Sequence, residues 1–342
     1  MNRLILDAAE ARGEPVTVVS LQDHGASPAP HWSGHGFHGS GGSRLRFLAS
    51  ALGVRDPGRA LVLATHAGLA PVARAAAIVR RAPLLLFLHG VEAWGQQGVL
   101  DRWGIAGSRA LVTNSRFTLE EFRRSHPRFA TLPGEVCHLP ARPLGGVDSR
   151  GTPAPRPPRA IVVGRLWGRG LLKGQAQLLD AWPGVVRRIP GAELWIVGEG
   201  DGRAGLEERA RALGLGSSVR FLGFVSDAAL DAAYRSCDVY AMPSRGEGFG
   251  LVFAEAMARG LPCIASRFDA GSEVVVDGET GIHVDPDDPA EILGSLLRLL
   301  GDREAARSMG EAGRRRAGEH FTVERFRSRL GEILAKYGGG EP

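Results

Sequence analysis

Arg245-Gly-Glu247-Gly-Phe-Gly250-Leu-Val-Phe-Ala-Glu255-Ala-Met-Ala-Arg259-Gly260 joins a glycine-rich turn to a helix that is apolar on nearly every face. Such a helix belongs in a core, yet it carries a carboxylate at Glu255, with another at Glu247 just ahead of it. Burying an unpaired carboxylate costs several kcal/mol, roughly, so donors are expected to meet Glu255. The hydroxyls of a nucleotide's ribose can supply them; an internal ion pair with an arginine elsewhere in the chain is the alternative. The turn Gly248-Phe249-Gly250 precedes the helix's first N–H groups, which lack intrahelical partners and favour an anion such as a phosphate.

Outward from this stretch, short apolar strands alternate with amphipathic helices, the pattern of parallel α/β layers. In the first half, strands are expected at Val16–Ser20, Ala60–Ala64, Leu84–Leu88 and Leu111–Thr113, with helices near 3–12, 44–52, 70–80 and 117–124. The Gly/Pro-rich segment Gly145–Pro158 has no hydrophobic period and reads as a linker. The alternation then restarts through Ala160–Val163, Glu193–Val197, Val219–Leu222, Val239–Met242 and Cys263–Ala265. With 342 residues, two domains of roughly 150 are expected. The boundaries predicted are 1–150, 151–319 and a basic amphipathic tail, 320–342, packing back across the domains. Both domains are expected to be Rossmann-like and doubly wound, facing a cleft, the first of them without the strand that normally precedes its first helix at the centre of such a sheet.

Hydrophobic residues make up 44% and charged residues 23%, ordinary values for a globular protein. No apolar run approaches the ~18 residues of a membrane span, and Met1–Glu10 lacks the apolar core of a signal peptide, so a cytoplasmic location is expected. Three scattered cysteines form no disulfide framework and no zinc spacing. The net charge of +5 favours anionic partners. Only two lysines occur, Lys173 and Lys336, which makes Lys173 conspicuous in Gly164-Arg165-Leu-Trp-Gly-Arg-Gly-Leu-Leu-Lys173-Gly174. Arg165 follows a strand directly, where open α/β sheets bind ligands, and an arginine fork with a lysine point charge suits a diphosphate. Two solvated surface cations are the alternative.

Glu247-Gly-Phe-Gly-Leu-Val-Phe-Ala-Glu255, preceded by Phe221-Leu-Gly-Phe-Val225 and followed by Ala256-Met-Ala-Arg-Gly-Leu-Pro262, resembles the signature of glycosyltransferase family 4, retaining enzymes of the two-domain GT-B fold. The resemblance continues through Gly164-Arg165-Leu with Lys173-Gly174, Val197-Gly-Glu-Gly200, Gly271-Ser-Glu273 and Asp277-Gly-Glu-Thr-Gly281. Leu88-His89-Gly90-Val-Glu92-Ala-Trp94 resembles, more loosely, the segment whose histidine contacts the donor sugar, and Thr113-Asn114-Ser115 a later strand end at the cleft. Family members begin with a strand and a glycine loop ahead of a helix like Asn2–Arg12; Gly41-Gly42 precede a different helix and do not replace that loop.

The resemblance implies a retaining glycosyltransferase moving a sugar from a nucleotide-diphosphate donor to a hydroxyl of a glycan or lipid-linked acceptor, in surface glycan or glycoconjugate synthesis. Arg165, Lys173 and the amides of Gly250 and Leu251 are expected to meet the leaving diphosphate, Glu247 the donor sugar, Glu255 the ribose, and His89 the sugar from the other domain. Gly164, Val225, Gly248, Phe249 and Asn114 complete the expected substrate contacts, with no metal, no cofactor and no nucleic acid. A noncatalytic nucleotide-binding protein derived from such an enzyme is the alternative. Arg116, Arg123, Arg124 and Arg128 are read as a basic face for an anionic membrane, against the alternative of a solvated surface.

Three segments have simpler accounts. Thr118-Leu-Glu-Glu121 reads as a helix capping box. Asp288-Pro289 opens a helix, so Asp285-Pro-Asp287-Asp288 is no metal motif. Val197-Gly-Glu-Gly-Asp-Gly202 misses the dinucleotide spacing and is read as a strand-end turn bordering the donor cleft.

Overall fold

The computed structural model describes residues 2–10, 13, 15–25, 36–54, 60–142, 156–168 and 173–338. The linker expected at 145–158 lies outside them up to residue 155. The chain forms two compact units: Met1–His138 with Val323–Pro342, and Leu139–Thr322. Residues 139–142, placed by the sequence in the first domain, therefore cluster with the second unit. The expected tail helix breaks at Phe321–Thr322, and its part from Val323 to Tyr337 belongs to unit 1.

In unit 1, strands β1 (Thr17–Ser20), β2 (His24–Gly25) and β3 (Gly36–Ser40) form a small sheet in the order β1-β3-β2. Strands β4 (Val62–Ala64), β5 (Leu84–Leu88), β6 (Ala110–Thr113) and β7 (Gly134–Val136) form a second, parallel sheet in that order. Every side chain of β5 and β6 is buried, which explains their unbroken apolar runs: a parallel strand is covered on both faces. The Val16–Ser20 run was expected in one doubly wound sheet with the others; it instead pairs parallel to β3, whose glycine-rich sequence carries no strand signal. The Asn2–Glu10 helix packs on Val323–Tyr337, helped by Arg327 donating to Asp7 at 3.1 Å. Glu135 on β7 accepts from Arg329, Lys336 and Tyr337 at 2.6, 2.6 and 2.9 Å, which ties the tail helix down. The capping-box expectation is corrected: the helix Arg116–Ser125 starts three residues earlier, with Ser115 accepting from the Thr118 N–H at 3.0 Å.

Unit 2 carries β8 (Arg159–Val163), β9 (Glu193–Val197), β10 (Val219–Gly223), β11 (Val239–Met242), β12 (Cys263–Ser266) and β13 (Gly281–Val284). All are parallel, in the order β10-β9-β8-β11-β12-β13. This is the doubly wound order, and its winding reverses between β8 and β11. In sheets of this order the connections at the reversal leave for opposite faces, which leaves room for a ligand at the strands' carboxyl ends. The segments there are Gly164 onward from β8 and Pro243 onward from β11. Asp288 caps the Pro289–Gly301 helix by accepting from Ala290 and Glu291 at 2.8 and 3.2 Å, and Arg245 forks onto Asp287; these carboxylates have structural partners.

Candidate functional site

Glycines fix the loop after β8. Gly198, at φ +134, and Gly200 lie where a Cβ would overlap the carbonyl oxygens of Gly164 and Leu166. The two loops can therefore lie backbone to backbone, with Gly164 N–H donating to Val197 O and Leu166 N–H to Glu199 O, each at 3.0 Å. Val197–Gly202 is thus a buttress that sets Gly164 and Arg165 in place. Arg165 itself is exposed and stacks over Trp167, its guanidinium carbon 4.1 Å from the ring centroid. On the other side, Gly174 at φ +78 presses against the Pro243 carbonyl, which a side chain would strike. That contact carries Lys173 to the end of β11, where its ammonium pairs with Glu247.

Glu247 is largely buried and its second oxygen accepts from the N–H groups of Gly248 and Phe249 at 3.1 and 3.4 Å. Gly250, at φ +90, caps the Leu251–Ala258 helix; a Cβ there would sit 2.6 Å from the Phe253 ring and 3.4 Å from Glu247 Cγ. The amides that open this helix thus lie beside the Glu247 side chain. Gly164, Lys173, Glu247, Gly248 and Gly250 are brought together past the carboxyl ends of β8 and β11 in unit 2. Phe249 is buried against Phe321, with ring centroids 5.7 Å apart, and serves packing as well as the turn. Val225, just after β10, is half-buried against the unit 2 core.

Asp269 escaped the sequence reading. It is fully buried, accepts from Ser244 Oγ at 2.7 Å, from Glu247 N–H at 3.1 Å and from Gly271 N–H at 2.9 Å, and so braces the loop that presents Glu247. Burial pushes its carboxyl up to about 6. Only its place two residues before Gly271-Ser-Glu273 hinted at a role.

The question posed by Glu255 has a definite answer in this structure. Its side chain is 0% exposed and meets Arg142, whose Nε donates to Oε1 at 2.6 Å and whose Nη2 donates to Oε2 at 3.4 Å. Tyr234 Oη donates to Oε2 at 3.3 Å. The internal arginine is therefore real. It was unreadable in advance, because 113 residues separate the partners and no spacing rule links them.

In unit 1, His89 follows β5 and stacks on Phe87 with centroids 4.8 Å apart. Its Nε2 lies 2.8 Å from the Thr65 carbonyl, which can only accept, so Nε2 carries the proton and Nδ1 is an acceptor. Desolvation by burial lowers the imidazole's pKa below 6.5. Glu92 holds the His89 N–H at 2.6 Å, and Asn114 Nδ2 donates to the His89 carbonyl at 2.9 Å. His89 Nδ1 and Asn114 Oδ1 are buried without donors among the described residues. Of the expected basic face, Arg116, Arg124 and Arg128 are exposed, whereas Arg123 turns inward to the Leu132 carbonyl at 3.0 Å.

Residues 149–316 match the family described as glycosyl transferases group 1. The GDP-mannose-dependent alpha-(1-6)-phosphatidylinositol monomannoside mannosyltransferase of Mycobacterium tuberculosis is 33% identical over 291 residues, 78% of this chain and 72% of that protein. The chain belongs to the group 1 glycosyltransferases. A further relative, the phosphatidyl-myo-inositol mannosyltransferase of Mycobacterium leprae, is 46% identical over 129 residues, 37% of this chain, and the match spans about a third (34%) of the relative. Among solved structures, Anabaena HepE in complex with UDP superposes with a TM-score of 0.70 at 22% identity, covering 85% of this chain and 81% of that one. TarM gives 0.71 at 15% identity, covering 86% and 58%. These likenesses establish the GT-B fold of the family.

Proposed function

We propose that this group 1 glycosyltransferase moves a sugar, with retention at the anomeric carbon, from a nucleotide-diphosphate donor to a hydroxyl of a lipid-linked or glycan acceptor. The observation that carries the proposal is the Lys173–Glu247 pair set beside Gly164 and the opening amides of the Leu251–Ala258 helix. When the bond to the sugar breaks, charge grows on the departing diphosphate. Donors fixed in advance around that charge lower the barrier most. Lys173, Arg165 and the amides of Gly250 and Leu251 supply them, so the leaving group's charge falls to the chain's own groups rather than to a metal.

Glu247 holds the donor sugar's hydroxyls near the reacting carbon, and Glu255 takes the ribose. Val225, Gly248 and Phe249 shape the seat. In unit 1, His89 Nδ1 and Asn114 Oδ1, acceptors that no donor among the described residues meets, suit sugar or acceptor hydroxyls. Attack from the face of departure, implied by the family resemblance, accounts for retention without a covalent intermediate.

The name of the Mycobacterium tuberculosis relative makes GDP-mannose the first donor to try and a phosphatidylinositol-type lipid the first acceptor. A lipid acceptor implies work at a membrane surface, on its cytoplasmic side. Among the described residues no helix is long and apolar enough to cross a membrane. Peripheral contact is supported by the Val99–Ala106 helix, where Val99, Leu100 and Trp103 are 72, 70 and 41% exposed and Arg74 stacks over Trp103. Exposed Arg116, Arg124 and Arg128 add charge for anionic lipid.

The test is a panel of nucleotide sugars, GDP-mannose and UDP-glucose included, assayed for transfer to phosphatidylinositol in anionic vesicles. Transfer from one donor is expected. Tight nucleotide binding without turnover of any donor would instead mark a noncatalytic nucleotide-binding protein.

A further inference from the structure

We infer that Arg142 is a built-in competitor for the ribose seat, so that a nucleotide reaches Glu255 only by displacing this side chain, and the exchange lowers the donor affinity. The inference rests on Glu255 as the ribose partner proposed above.

The geometry is specific. Glu255 has no exposure of its own, while the Arg142 side chain that covers it is 47% exposed. The guanidinium spans both carboxylate oxygens, Nε on Oε1 at 2.6 Å and Nη2 on Oε2 at 3.4 Å, and Tyr234 takes Oε2 from inside at 3.3 Å. The carboxylate's solvent side is thus closed by Arg142. A hydroxyl arriving from solvent must take the positions that Nε and Nη2 hold.

Two features make Arg142 suited to leave. Its backbone is anchored, since Ala141 N–H donates to the Phe321 carbonyl at 2.8 Å, so the side chain can swing without moving the chain. Its Nη1 also touches Asp227, 74% exposed, at 3.2 Å, and that carboxylate can keep the released guanidinium paired. Before a nucleotide binds, Arg142 spares Glu255 the penalty of a buried unpaired charge. Apparent affinity falls by the fraction of molecules in which the seat is free.

Calorimetric titration of GDP and of UDP into the full chain tests this. Arg142→Gln should bind the preferred nucleotide about tenfold more tightly than the wild type, and Arg142→Lys, which keeps the charge but loses the fork, by an intermediate factor. In a Glu255→Gln background, Arg142→Gln should change nothing further. Unchanged or weaker binding by both Arg142 variants, with Glu255→Gln still weakening it, would overturn the inference and leave the ribose assignment intact. If Glu255→Gln leaves affinity unchanged, the ribose assignment itself fails and takes the inference with it. Arg142→Lys keeps the question answerable should Arg142→Gln fold poorly.

Discussion

The polar groups of the two units are provided for in opposite ways. In unit 2 the carboxylates Glu247, Glu255 and Asp269 have donors already: Glu247 has Lys173 and two amides, Glu255 has Arg142 and Tyr234, and Asp269 has Ser244 and two amides. In unit 1 the acceptors His89 Nδ1 and Asn114 Oδ1 are buried with no donor among the described residues. A site of the first kind is stable while empty and must exchange partners to bind. A site of the second kind carries an unmet hydrogen bond that a ligand can satisfy, at a standing cost of about 1–3 kcal/mol per group.

The largest effect that would sharpen this contrast is at Lys173. Lys173→Ala should lower transfer by roughly 10²–10³-fold, the usual loss for one preorganised donor at a developing charge, with the melting temperature nearly unchanged. Steady-state rates and a thermal melt on the same sample check it; parallel loss of fold and activity would make the Lys173–Glu247 pair a structural one. Next is Gly198→Ala. With φ at +134 and the Gly164 carbonyl where the new Cβ must go, the buttress has to shift, and about 2–3 kcal/mol of stability should be lost along with the placement of Arg165. Denaturant unfolding measures that.

Asn114→Leu probes the open acceptors of unit 1. The substitution deletes one made bond, to the His89 carbonyl, and one unmet acceptor, so stability should move by less than about 1 kcal/mol while transfer falls roughly tenfold. Equal transfer by the variant would remove Asn114 from the substrate contacts. The remaining effect is a slope. Burial lifts Asp269 from 3.8 to about 6, so between these values the fold binds its proton more tightly than the unfolded chain does. The stability this group contributes is present below the lower value and is lost as pH rises through the upper one, at no more than about 1.4 kcal/mol per pH unit. Asp269→Asn should flatten that part of the profile, measured by unfolding at pH 4, 5, 6 and 7.

Unit 2 was the more legible of the two in the sequence, for a physical reason. Its strands are apolar runs followed by glycine-bearing turns, with Val239–Met242 and Cys263–Ser266 buried along their whole length, so Val239–Met242 and Glu193–Val197 match the sequence reading. Its motif residues lie at the strand ends where the winding reverses, which is where a doubly wound sheet binds. Unit 1 offered less. Gly36–Ser40 has two glycines in five residues and forms a strand only because β1 and β2 pair with it. Thr118 has the composition of a cap but sits buried inside its helix, because Ser115 caps first. Arg142 and Asp269 act through tertiary contacts that leave no periodic trace in the chain, so Glu255 posed its question in the sequence but found its partner only in space.

The central claim is that the crevice formed by Lys173, Glu247, Gly164 and the helix opening at Gly250 grips a diphosphate. Titrating GDP and guanosine into the wild type and into Lys173→Gln tests it most directly. The expected result is that the variant loses on the order of tenfold or more in affinity for GDP and keeps that for guanosine. Equal affinity of both proteins for GDP would contradict it.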